Sequence, residues 1–147
     1  MAKEFKGRPV IAGECTVEAI VSRQGFNTLA SFQKSALARK KETIVSDQNN
    51  SDLFGKNITG KALCLPKTIG STTGGMVIYA ATALKIQPRA MLFSEPIDSL
   101  AAAGVILSDV WTNDTITTVD NLGQEFLDYV QDGMKVEIKM DGTVIVG

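Results

Sequence analysis

The segment Pro66-Lys-Thr-Ile-Gly-Ser-Thr-Thr-Gly-Gly75 concentrates glycines and hydroxyls between two apolar runs, Ala62-Leu-Cys-Leu-Pro66 before it and Met76 to Ile86 after it. That order reads as strand, loop and helix. Glycines let backbone come close to a ligand, and the first turn of a helix points unpaired N–H groups at it, so the segment suits a carboxylate or phosphate. The hydroxyls of Ser71, Thr72 and Thr73 add donors at the same place, beside the backbone of Gly70. Ser71 or Thr72 also suits the plain task of capping the helix.

Residue content narrows the chemistry. A nucleotide-binding P-loop ends in Gly-Lys-Ser/Thr, which this segment lacks. The chain has no histidine, so Ser71 has no imidazole to activate it as a nucleophile, and a phosphohistidine carrier has no acceptor. Lys67 and Arg89 are the nearby cations that an anion would meet, although Arg89, just after Pro88, also fits an exposed strand edge. Cys15 and Cys64 are far apart, each within an apolar strand pattern, and read as packing residues. An iron–sulfur cluster takes three or four thiolates, more than this chain holds, so any cluster is expected in another chain and no metal site in this one.

The elements that must hold this segment alternate. Glu14 to Ser22 reads as a half-buried strand, with Cys15, Val17, Ala19 and Val21 on one face. The turn-rich Arg23 to Thr28 leads into a helix over 29–41 with Leu29, Phe32, Ala36 and Leu37 inward, and 45–60 reads as a long polar loop with little core. Pro88 to Ser94 is expected as a strand, Pro96 to Ala103 as a helix, Gly104 to Leu107 as a further strand, 115–119 as another, and 122–130 as a helix. Asp141-Gly142 between two alternating runs predicts a C-terminal β-hairpin with a two-residue type I′ turn. The fold class is α/β, a mixed sheet with flanking helices, and the 44% hydrophobic content of 147 residues is enough for a single domain over 1–147.

A net charge of −1, from 15 basic and 16 acidic residues, argues against a broad nucleic-acid or membrane surface, and Arg39-Lys-Lys41 with Lys34 reads as a solvated helix face. The absence of any long apolar stretch leads to the expectation of a cytoplasmic protein with no membrane contact.

Lys67-Thr-Ile-Gly-Ser-Thr-Thr-Gly-Gly75, preceded by Gly60-Lys-Ala-Leu-Cys-Leu-Pro66, resembles the signature of the small swivelling subunit of the aconitase X family. Further matches run along the chain: Gly25-Phe-Asn27, Ser46-Asp-Gln48, Pro88-Arg-Ala-Met-Leu-Phe-Ser94 and Asp132-Gly133. The resemblance implies a swivelling β/β/α domain, like the small domain of aconitase, closing over a large subunit that carries the iron–sulfur cluster and most of the substrate pocket. It implies a hydro-lyase active only with that partner. Ser71 then matches the base that takes a proton from carbon, as an alkoxide, while the cluster iron helps a hydroxyl leave.

By the same resemblance, Phe26 walls a substrate-facing loop, Asn27 hydrogen-bonds a polar group, Thr72 donates to a carboxylate, and Asp47 and Gln48 belong to a further site loop. The family dehydrates cis-3-hydroxy-L-proline or mevalonate 5-phosphate. Gly25-Phe-Asn-Thr28 and the scarcity of basic residues around Ser71 favour the small phosphate-free hydroxy acid. Two other classes stay open on the residues alone: a non-catalytic module that holds an anion for a partner, and a purely structural interaction domain.

Overall fold

The computed structural model describes residues 2–70 and 73–147. Its chain order is β1 (Lys3–Lys6), β2 (Arg8–Ile11), β3 (Cys15–Val21), β4 (Phe26–Asn27), α1 (Thr28–Leu37), β5 (Ala62–Leu65), β6 (Thr68–Ile69), α2 (Gly74–Ala83), β7 (Ala90–Phe93), α3 (Ser99–Trp111), β8 (Thr117–Asp120), α4 (Gln124–Tyr129), β9 (Lys135–Ile138) and β10 (Thr143–Val146). Eight strands form one mixed sheet in the order β1-β10-β9-β3-β5-β7-β8-β2, in which β3, β5, β7 and β8 run parallel and the outer pairings are antiparallel. This is the α/β class with a mixed sheet and a C-terminal hairpin that the sequence predicts.

The central parallel strands β5 and β7 are apolar on both faces, as strands covered on both sides must be. Ala62, Cys64, Ala90 and Leu92 point into one core, shared with Phe126 and Leu127 of α4 and with Phe5, Val136, Ile138, Val144 and Val146 of the antiparallel strands. Leu63, Leu65, Met91 and Phe93 point into the other, against Phe32 of α1, Ile78 and Ala81 of α2, and Ala101 and Val105 of α3. The alternation of β3 holds over its first half, but Ile20 is buried as well as Ala19 and Val21, because there the strand pairs with β5 and enters both cores.

Several expectations need correction. The opening residues, ahead of the first strand expected at Glu14, form β1 and β2, which close the two ends of the sheet, β2 being held by Arg8 on the buried Asp120 (2.9 and 2.5 Å). Helix α1 ends at Leu37 rather than Lys41, Arg39 having φ +51°, and its inner face is Thr28, Ser31, Phe32 and Ser35 while Leu29 and Leu37 are exposed. Hydroxyls are needed there because the chain at 44–46 bonds to the helix through Ser35 Oγ and Ser46 Oγ. The 45–60 segment carries core after all: Val45, Leu53 and Ile58 are fully buried. Gly104 to Leu107 is no strand but the middle of α3, which starts at Ser99 instead of Pro96. Cys64 is buried as expected, whereas Cys15 is only half-buried.

The hairpin is present, but its turn is not type I′. Gly142 N–H donates to Lys139 O (3.1 Å), Lys139 N–H to Thr143 O (2.9 Å), and Gly142 alone of the turn has positive φ, +90°. This is a three-residue loop with glycine in the left-handed position. Asp141 sits in it with Lys6 Nζ at 2.9 Å and the Thr143 N–H at 3.0 Å, and these partners, Lys6 foremost, hold its carboxyl below the usual range. A depressed carboxyl stabilises the fold above its unfolded-state pKa of about 4 and loses that contribution as pH falls below it. The stability difference between wild type and Asp141→Asn, read by urea unfolding, should therefore be constant from pH 5 to 7 and shrink at pH 3.

Candidate active site at the carboxyl ends of the parallel strands

In an open α/β sheet the crevice at the carboxyl ends of parallel strands is where ligands bind. Three loops leave that edge here, following β3, β5 and β7, and short contacts tie them together. β4 pairs in parallel with β6, Phe26 opposite Thr68 and Asn27 opposite Ile69, and Phe26 N–H donates to Lys67 O (2.9 Å). Thr68 in turn donates both its N–H (3.2 Å) and its hydroxyl (2.6 Å) to Asp98 Oδ1.

Each loop then opens a helix. Asn27 caps α1 by accepting from Ala30 N–H (3.0 Å), and Asp98 caps α3 by accepting from Ala101 N–H through Oδ2 (3.0 Å). Thr73 is the N-cap of α2 and its side chain makes no capping bond. The first residues of the three helices, Thr28, Gly74 and Ser99, line one cavity of about 170 Å³ together with Thr68, Ile69, Gly70, Asp98 and Leu100. None of the three helices has an acidic residue in its first turn, so three positive dipole ends face one small space. One of them, that of α3, already holds an anion, the Asp98 carboxylate on the cavity wall.

Gly70 has φ +103°, a conformation that L side chains rarely adopt, and a Cβ there would lie 2.9 Å from the Asn27 carboxamide. Asn27 therefore packs against the loop at Gly70 while capping α1, which accounts for its place in the sequence pattern. Ser71 and Thr72 lie outside the described residues. Gly70 and Thr73, on either side of them, are at the cavity and at the N-cap of α2 respectively.

The other predicted site residues fare differently. Phe26 does not wall the cavity: its side chain is fully buried, edge-on to Phe32 with centroids 5.9 Å apart. Asp47 is 7% exposed, and its Oδ1 accepts from Asn49 N–H (3.0 Å), an Asx turn that shapes its own loop; Gln48 is exposed. Neither lines the cavity. Arg89 stands at the amino end of β7, the far end of the strand from the site, with Nη1 on Thr117 Oγ1 (3.1 Å). Lys67 is exposed just before β6.

The residues that sequence reasoning missed are Thr28, Thr68, Asp98 and Ser99. Asp98 had a readable signal, an acidic residue directly before Ser-Leu-Ala at a helix start, and Thr28 follows a potential asparagine cap.

The two thiols differ in their surroundings, Cys64 being buried and Cys15 half-buried. Burial pushes the Cys64 thiol far up and raises that of Cys15 as well, so both are held neutral. Among the described residues no three His, Cys, Asp or Glu side chains gather to hold a metal ion, and no helix is long and apolar enough to cross a membrane.

Comparison with known proteins agrees with this arrangement. The aconitase X swivel domain model matches residues 4–146. The phosphomevalonate dehydratase small subunit of Thermococcus kodakarensis is 33% identical, the match covering 94% of this chain and 91% of that one; its counterpart from Pyrococcus furiosus is 30% identical, over 92% and 88%. The crystal structure of holo aconitase X from Thermococcus kodakaraensis superposes with a TM-score of 0.83 at 31% identity, over 99% and 98% of the two chains. A solution structure of a UPF0107 protein, at 22% identity and a TM-score of 0.76 over 97% of each chain, shares the fold. The chain belongs to the aconitase X family, as a small swivel-domain subunit of a dehydratase.

Proposed function

We propose that this chain, acting as one swivelling unit over its 147 residues, closes the active site of a two-subunit iron–sulfur hydro-lyase that dehydrates a small hydroxy acid, with Ser71 taking the proton from carbon. One observation carries the reading. The segment bearing Ser71 is bounded by Gly70 and Gly74, and both line the cavity on which three helix N-termini converge. A base that must become an oxyanion needs preorganised positive charge at that point, and the helix N-termini are what this chain offers toward it, offset in part by the Asp98 carboxylate. Gly70, Thr72 and Thr73 then hold the substrate next to Ser71, while Asn27 supports the loop from below.

The family's cluster is expected in the large subunit, and no step is assigned to it from this chain. A partner is also supported by α2 and α3. The first has no charged residue and the second only Asp109, yet Met76, Ile106, Val110 and Trp111 are exposed on them, as is Leu84 at the end of α2. Helices apolar all round belong in an interface, here with the large subunit.

For the substrate, the cavity walls contain no lysine or arginine, which favours a hydroxy acid without phosphate, cis-3-hydroxy-L-proline. Mevalonate 5-phosphate is the second reading, favoured by the phosphomevalonate dehydratase small subunits that resemble this chain along most of its length. Co-expression with the large subunit and assay with both compounds separates them. Turnover of cis-3-hydroxy-L-proline alone is the expected result. Turnover of mevalonate 5-phosphate gives the assignment to the second reading, and turnover of neither ends both.

A further inference from the structure

Asp98 stands directly before α3 and serves two elements with one side chain. Its Oδ2 accepts from Ala101 N–H (3.0 Å), which caps the helix, while its Oδ1 accepts from both the N–H (3.2 Å) and the hydroxyl (2.6 Å) of Thr68. Capping alone does not call for a carboxylate, because serine, threonine or asparagine caps a helix as well. A carboxylate here also has a cost. It lies on the wall of the cavity beside the Ser71 segment, no lysine or arginine lines that wall, and it disfavours negative charge forming nearby. What it adds over the other caps is a second oxygen free of the helix, and that oxygen goes to Thr68.

Thr68 is three residues before Ser71, in β6, a strand of only two residues. Its backbone pairing is correspondingly slight: Phe26 and Asn27 lie opposite, and Phe26 N–H reaches Lys67 O (2.9 Å). The bonds to Asp98 add an anchor on the 13-residue helix α3. That helix lies against α2 through Gly75 and Gly104, and α2 begins at Gly74, just past the Ser71 segment. Both ends of residues 69–73 are thereby referred to one pair of packed helices, Thr68 through Asp98 to α3 and Gly74 through α2.

We propose that Asp98, acting through Thr68, is a positioning residue for Ser71: it fixes the incoming end of the 69–73 segment against the helix pair that carries the outgoing end. The assignment rests on the hydro-lyase reading for what Ser71 does. The link itself does not depend on turnover.

Two variants cut the link and keep the cap. Thr68→Val keeps the shape of the side chain and removes the hydroxyl, and Asp98→Ser retains a good cap for α3 but has a single oxygen, which the cap takes. In the full small subunit, hydrogen exchange at the Thr68 amide should speed up by about tenfold or more in Asp98→Ser, as loss of a hydrogen bond to a charged group does. In the two-subunit enzyme, Thr68→Val should lower kcat by roughly ten- to a hundred-fold, the cost of misplacing a reacting group by about 1 Å. KM for the hydroxy acid that the enzyme turns over should move far less, since substrate contacts are untouched. Thr68→Ser should bring kcat back, and Thr68→Val should have no further effect in the Asp98→Ser background, where the link is already cut.

Unchanged kcat in Thr68→Val, a fall in kcat that Thr68→Ser does not restore, or an equal effect of Thr68→Val with and without Asp98 would each overturn the proposal. Should Asp98→Ser fail to fold, the comparison of Thr68→Val with Thr68→Ser decides alone. If Ser71 is not the base, Ser71→Ala turns over normally while the Thr68 amide still exchanges faster in Asp98→Ser, so the two failures are distinguishable.

Discussion

In the two-subunit enzyme, Ser71→Ala should leave assembly intact and lower turnover by roughly a hundred- to ten-thousand-fold, the usual worth of a positioned general base. The magnitude follows from how hard a serine is to ionise. Its hydroxyl is about as weak an acid as water, so a working base near neutrality needs strong stabilisation of the alkoxide. A helix N-terminus contributes up to about 2 kcal/mol in a partly buried setting, and two of the three at the cavity are already capped, α1 by Asn27 and α3 by the Asp98 carboxylate.

Helix ends alone fall short of that, which is why turnover is expected only in the complex with the large subunit. Two consequences can be checked. The small subunit alone should show no turnover, and Ser71→Ala should bind the hydroxy acid in the complex about as well as wild type, because the alkoxide matters in the transition state more than in the ground state. Near-normal turnover of Ser71→Ala, with assembly verified by size-exclusion chromatography, would remove Ser71 from the mechanism.

The parts of the fold legible in the sequence are those whose signal is local. β5 and β7 announce themselves as short apolar runs because both faces are covered, and the hairpin announces itself through alternation around Asp141-Gly142. The glycine-rich loop is legible for the same reason, since Gly70 needs its positive φ in its own right. What was not legible depends on neighbours from elsewhere in the chain. Thr28, Thr68 and Asp98 come from three separate loops, and only the parallel order β3-β5-β7 brings them to one edge. β1 and β2 are four-residue strands with mostly exposed or half-exposed side chains, too short to carry a period. Position in a family loop points Phe26 toward the substrate, but the fold buries its ring in the core against Phe32 of α1.

Gly104 is the most instructive miss, and it leads to the largest stability effect expected. In sequence it looks like a break between a helix and a strand, whereas it lies inside α3 against Gly75 of α2. A Cβ on Gly75 would stand 2.6 Å from Leu100 O, and one on Gly104 2.7 Å from Gly75 O, so neither clash can be relieved by turning a side chain. The two helices must separate.

Such overpacking costs about 1–3 kcal/mol or more. For a domain of this size, each kcal/mol lowers Tm by roughly 3 °C. Gly75→Val should thus lose about 10 °C in a calorimetric melt, and Gly104→Val nearly as much. Because one separation of the helices accommodates both, the double variant should fall well short of the sum. Separation also displaces the first turn of α2 from the cavity, so turnover of the complex should drop further than the melt alone would suggest. An unchanged Tm in both single variants would mean that the helices do not touch at this point. Full additivity in the double would mean that the two glycines serve separate contacts.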